Sequence, residues 1–187
     1  MDAPTQYALA YALTTGAGLR GLLLLAAFSV AAHFGWVSPP ADFAWLGTTG
    51  VTIGLCVVAL VDLIADKIPV VDHGLHLIHV VIKPAAAAIL VAGIVHPPSH
   101  AALLGLMALG ALNALGVHAA VASARAASTA TTVGIANPAL SLGEDVGAVG
   151  LSMLAVTIPY AGAAVAAILL GIVVMITVKV KTLRRPV

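Results

Sequence analysis

The side chains of this sequence that could do chemistry sit where lipid ought to be. With each residue turning about 100° around a helix axis, Asp72, His76, His79 and Lys83 fall within about 60° of one another, so one face carries carboxylate, imidazole and ammonium in a single stripe. Histidine titrates near neutral pH, and chains of carboxylates and histidines recur in proton pumps, so the stripe reads as a proton relay. Lys83 lies mid-segment and precedes Pro84, whose ring frees a backbone carbonyl one turn earlier. On the preceding segment Asp62 and Asp66 share a helix face and repel unless a cation, a proton or a basic side chain intervenes. With Asp72, Glu144 and Asp145 they form a carboxylate set suited to a cation or proton, and Arg20, Lys67 and Arg125 are the bases beside it. Five acids against three bases leave an excess of negative charge, from which like-charge repulsion predicts protons retained near neutral pH or a bound cation. The plainer alternative makes these groups structural staples, with Lys83 held by an aspartate of the preceding span.

Other chemistry fits the spacing less well. His73, His76 and His79 repeat every third residue, but only His76 and His79 share a tight face, so a zinc or haem site would have to recruit His118 from another segment. Asn113, His118 and Arg125 lie along one further helix. A lipid-acting enzyme would have to use Ser128, Thr129 and His118, which have no spacing that favours nucleophilic catalysis. Gly16-Ala-Gly18-Leu-Arg20-Gly21 has the glycines of a dinucleotide loop, yet no strand precedes it; its backbone beside Arg20 could instead meet a lipid phosphate. The lone Cys56 excludes a disulfide framework and a cysteine metal site. No cofactor is implied.

The elements that must position these groups are membrane helices. Of 187 residues, 61% are apolar and 8% charged, with a formal net charge of +1, whereas soluble domains are about 45–50% apolar and about 25% charged. This composition excludes a soluble enzyme, a disordered chain and a nucleic-acid binder, and makes the lipid bilayer the principal partner. At about 20 residues per crossing, six segments qualify, roughly residues 19–37, 43–65, 72–95, 101–124, 140–158 and 161–178. A five-span alternative runs the last two together through Pro159. Residues 1–18, with Tyr7 and Tyr11 one turn apart, read as an interfacial segment. Lys and Arg mark alternate junctions, which places both termini and the basic tail 179–187 in the cytoplasm. The junctions at Trp36–Trp45 and His96–His100 then face outward.

The polar, uncharged run containing Ser128, Thr129, Thr131, Thr132, Asn137 and Ser141 reads as a re-entrant loop, because non-helical backbone at membrane depth must line a cavity or be buried in protein. Turns at Asp66–Asp72 and Asn137–Asp145 each place proline before carboxylates. They divide one transmembrane domain into two possible repeats, 19–95 and 101–178.

Gly18-Leu-Arg20, Ala65-Asp-Lys-Ile-Pro69 with Asp72, His79 with Ile82-Lys83-Pro84, and Ala127-Ser-Thr-Ala-Thr-Thr132 followed by Asn137-Pro138 and Glu144-Asp145 resemble a bacterial family of multi-pass inner-membrane proteins catalogued as domain of unknown function 4126. The resemblance implies a bacterial inner-membrane location and carries no activity. The expectation is therefore an all-α integral membrane protein, a small transporter or channel for a cation or protons, working as a homodimer because so short a chain encloses little volume. The alternative is a structural or accessory subunit docking a partner.

Overall fold

A computed structural model describes residues 1–67 and 69–183, with side chains described for 1–67, 78–172, 174 and 175. Asp72 and His76 of the expected relay, with His73 and the basic tail, lie outside the described side chains. The protein is an all-α integral membrane protein. Its helices are α1 (Ala3–His33), α2 (Thr49–Ala65), α3 (Pro69–Ile94), α4 (His100–Thr132), α5 (Asn137–Thr157) and α6 (Pro159–Leu183), with a 3-10 helix at Ala41–Gly47. Prolines open α3, α5 and α6 at or beside their first residue, where a missing N–H costs nothing. Ser99 caps α4 by accepting from the Ala102 N–H, the role a small hydroxyl residue plays at a helix start.

Among the described residues α1, α4 and α5 are long and apolar enough to cross a membrane, and Ala41–Gly47 with Thr49–Ala65, bent by 60°, qualify together. The shorter apolar stretches Ile78–Ile94 and Pro159–Ile172 belong to α3 and α6. Ile158, with φ −138 and ψ 78, breaks the chain between α5 and α6. The Cβ of an alanine at Gly162 would lie 2.7 Å from the Ala155 backbone, so α6 turns back along α5. The last two spans are separate helices, not one bent helix.

The first helix corrects the reading of residues 1–18 as an interfacial segment. Arg20 leaves helical geometry (φ −138, ψ 84) and breaks α1 into two arms. The arms fold back on each other: Leu24 lies 3.0 Å from where a Gly16 Cβ would be, and Met1 and Gln6 line the same cavity as Trp36 and Val37. In a straight helix those ends would stand about 45 Å apart. Residues 9–18 are thus a buried arm, with Leu9, Ala12, Leu13 and Ala17 fully shielded, while residues 1–8 are exposed or half-buried at its end. The physical reason is glycine. Gly18 packs on Val117 and Ala114 of α4, and Gly21 packs on Lys83 and Ala86 of α3, so both sides of the break approach neighbouring backbone more closely than a side chain permits. Both arms lie in the core, and α1 packs against every other helix.

A Cβ at Gly18 would stand 2.5 Å from Val117 Cβ and 2.6 Å from the Ala114 carbonyl oxygen, whereas one at Gly54 would meet open space. Gly18→Ala is therefore expected to destabilise by about 1–3 kcal/mol through overpacking, and Gly54→Ala to be neutral or slightly stabilising. Thermal unfolding of both variants in detergent checks the contrast; equal midpoints would contradict the packing.

The segment expected as a re-entrant loop is also corrected. Ser128, Thr129, Thr131 and Thr132 form the last turns of α4, Asn137 and Ser141 begin α5, and only residues 133–136 turn between them. Hydroxyls of Thr129, Thr131 and Thr132 donate to the carbonyls of Arg125, Ala127 and Ser128, so these three threonines are satisfied within the helix. Val133 (φ 53) and Gly134 (φ 84) then stop it in the left-handed region, the usual helix-ending conformation. The sharply bent apolar pair lies elsewhere, at the 3-10 helix and α2.

Candidate functional site

Arg20, at the broken tip of α1, is 1% exposed and is carried by the fold into a cluster built from the ends of α2, α4 and α5. Its Nη2 donates to Asp66 Oδ2 at 2.6 Å and to Ser141 Oγ at 3.0 Å. Its Nε stands 2.6 Å from Asp145 Oδ1 as an ion pair, misaligned for a hydrogen bond. Lys67 closes the ring, donating to Asp145 Oδ2 at 2.6 Å and to Ser141 Oγ at 2.5 Å. Ser141 in turn donates to Asp66 Oδ2 at 2.6 Å. Arg125 of α4 pairs with Glu144 through Nε and Nη2, both at 2.8 Å. Ser141, Glu144 and Asp145 recur at i, i+3 and i+4 on α5, so one face delivers all three.

Asp66 follows the last residue of α2. Burial alone would raise its pKa, but the hydrogen bonds from Arg20 and Ser141 and the charges of Arg20 and Arg125 outweigh burial and hold the carboxyl well below its ordinary value. Its contribution to stability is present at neutral pH and is lost progressively as pH falls from the ordinary carboxylate value through that lowered one. The repulsion expected between Asp62 and Asp66 is relieved by separate partners. Asp62 and Asp66 do not share a partner, since Asp62 Oδ1 lies 2.7 Å from His79 Nε2 while Asp66 faces Arg20. Among the described side chains four bases (Arg20, Lys67, Lys83, Arg125) stand with four acids (Asp62, Asp66, Glu144, Asp145), and the fifth acid of the expected set, Asp72, lies outside them.

Deeper in the bundle, Lys83 and His118 are 4% and 3% exposed, and Lys83 Nζ lies 3.1 Å from His118 Nδ1. Lys83 is thus held by a histidine of α4 and not by an aspartate of the preceding span. His79 and Lys83 are one turn apart on α3, so the Asp62–His79 and Lys83–His118 pairs are adjacent. A cavity of about 10 Å³ lined by Arg20, Asp66, His79, Lys83, His118 and Glu144 among others joins the two pairs to the ion-pair ring; that volume matches one water.

The other sequence candidates fall as follows. Among the described residues no three His, Cys, Asp or Glu side chains converge on a metal position; His79 and His118 each face a different partner. Ser128 stands ten residues beyond His118 on the same helix, about 15 Å along its axis, so that serine and histidine are not brought together. Ser141 joins the charged ring, whereas Ser128, Thr129, Thr131, Thr132 and Asn137 remain at the α4–α5 turn. Sequence reasoning missed Thr14 and Thr15, which hold Asn113 in the interior of the bundle. Their only signal is a pair of hydroxyls inside an apolar helix.

The model of the family described as a domain of unknown function (DUF4126) matches residues 7–179, and the chain belongs to that family. No curated protein and no solved structure matches it.

Proposed function

We propose that the protein is a small membrane transporter or channel for protons, with Asp62, His79, Lys83 and His118 as the relay and the Arg20–Asp66–Asp145 ring as the frame that holds it. The observation that carries this reading is the buried Lys83–His118 contact at 3.1 Å. Two nitrogens at that separation need a lone pair on one of them, so the pair holds one shared proton in place of two. A proton passing from Lys83 to His118 leaves the same contact with its donor and acceptor exchanged. Metal cations suit the site less well than protons, because the carboxylates of the ring are already matched to Arg20, Lys67 and Arg125. Reconstituted in liposomes holding a pH-sensitive dye, the protein is expected to dissipate an imposed pH gradient faster than empty liposomes. Na⁺ or K⁺ gradients alone should drive no comparable flux. Equal rates with and without protein would overturn the reading.

The end of the bundle that carries Lys67 and Arg125 is assigned to the cytoplasm of a bacterial inner membrane, as the positive-inside rule requires. Thr5 bonds Tyr160 at 3.2 Å and Gln6 bonds the His96 backbone at 3.0 Å, so the N-terminus belongs to the opposite, outer end. This departs from the expectation of two cytoplasmic termini, because the first arm of α1 adds a crossing. In a Cys56→Ser background, cysteines at Thr5 and Ser99 should label in intact cells and a cysteine at Ala130 only after permeabilisation. Labelling of Thr5→Cys together with Ala130→Cys would contradict the folded-back helix.

A structural or accessory subunit is the second reading. It is favoured by the closed ion-pair ring and by the single-water size of the cavity beside Lys83.

A further inference from the structure

A cavity of about 280 Å³ lies between the first arm of α1 and helices α3 and α4, lined by Tyr7, Tyr11, Thr14, Val91, Leu106 and Asn113 among others. None of its lining residues is Asp, Glu, Lys, Arg or His, so no ligand charge would find a counterion there, and an ion would bear the full desolvation cost. Its polarity is concentrated at Asn113.

The orientation of that amide follows from its neighbours. Thr14 and Thr15 both donate their hydroxyl protons to the Tyr11 carbonyl, at 3.1 and 2.9 Å. They can therefore only accept from Asn113, whose Nδ2 donates to both at 3.0 and 2.9 Å. With both N–H groups committed, Asn113 keeps one polar atom unspent, its carbonyl oxygen Oδ1, and the network turns that atom away from the threonines. The cavity thus combines apolar walls, two tyrosines and one fixed acceptor, near the low end of small-molecule site volumes of about 300–1,000 Å³.

We propose that this cavity binds a small uncharged amphipathic molecule, an alcohol, phenol or amide whose O–H or N–H donates to Asn113 Oδ1 while its apolar part lies among Tyr7, Tyr11, Val91 and Leu106. Asn113 lies five residues before His118 on α4, about 7.5 Å along the axis. The site therefore neighbours the relay without sharing a side chain with it, and it stands whether or not the protein moves protons.

The test uses photolabelling of the full-length protein in lipid nanodiscs. The probes are a trifluoromethyl-diazirine benzyl alcohol and its methyl ether, which differ in the donor proton. The alcohol should label saturably on peptides containing Tyr7–Tyr11 or Leu106–Asn113. The ether should label about tenfold less, the loss expected for one hydrogen bond in an apolar site. Leu106→Trp, which fills the cavity and leaves Asn113 in place, should abolish the labelling by the alcohol. Equal labelling by alcohol and ether marks a groove for lipid chains and overturns the proposal, as does undiminished labelling of Leu106→Trp. The comparison of the two probes on the wild-type protein needs no variant to fold.

Discussion

Arg20→Leu is expected to destabilise the bundle more than any other single substitution in the charged cluster, by about 3–5 kcal/mol, the cost of breaking a buried pair from one side. Arg20 is 1% exposed and faces two carboxylates, Asp66 and Asp145, each at 2.6 Å, from two further helices. Removing the guanidinium leaves both acids with Lys67 as their nearest cation, and Lys67 is far more exposed. The same side chain occupies the break between the arms of α1, so its loss also releases the tip that holds the arms together. Arg20→Lys keeps the charge but not the planar fork that serves Asp66, Ser141 and Asp145 at once, and should fall between wild type and Arg20→Leu. Thermal unfolding in detergent reads the series. A wild-type midpoint for Arg20→Leu would show that the ring is not a staple.

Lys83→Met should behave in the opposite manner, keeping the fold and losing the flux. Lys83 contacts a histidine, not a carboxylate, so methionine of similar length removes one hydrogen bond from His118 Nδ1, at about 1–3 kcal/mol. That cost is smaller than the cost at Arg20. Proton flux in liposomes should drop to the level of empty vesicles, because the relay then has no nitrogen between His79 and His118. His118→Phe should lose flux equally, and the double variant no further, since two groups sharing one proton act as a unit. Additive losses from the single variants, or flux retained in either, would exclude the pair from the path.

The charged cluster was legible because intramembrane charges are rare enough to pick one another out: Arg20, Lys67, Arg125, Asp66, Glu144 and Asp145 all meet. Their pairing was not. Asp62 and Asp66 share a helical face in one dimension, and only the placement of α1 and α3 sends one to Arg20 and the other to His79. The folded-back first helix was hidden for a related reason. Its break carries no proline, and Gly16, Gly18 and Gly21 resembled a phosphate loop out of context, while Gly16 makes room for Leu24 of the returning arm and Gly18 and Gly21 admit the backbones of α4 and α3. The Ser/Thr run before Val133 misled in the other direction, since hydroxyls that bond their own helix leave no trace in a pattern of polarity. The helical, lipid-facing character of the chain followed directly from composition.

The central claim is that Lys83 and His118 share one proton within the bundle. Nitrogen-15 magnetic resonance of the labelled protein in lipid bilayers tests it most directly, with Lys83→Met and His118→Phe assigning the two signals. The relay reading predicts a coupling between Lys83 Nζ and His118 Nδ1 across a hydrogen bond at neutral pH, with one of the two nitrogens carrying the lone pair. Two separately protonated cations, an ammonium and an imidazolium with no coupling between them, would contradict it.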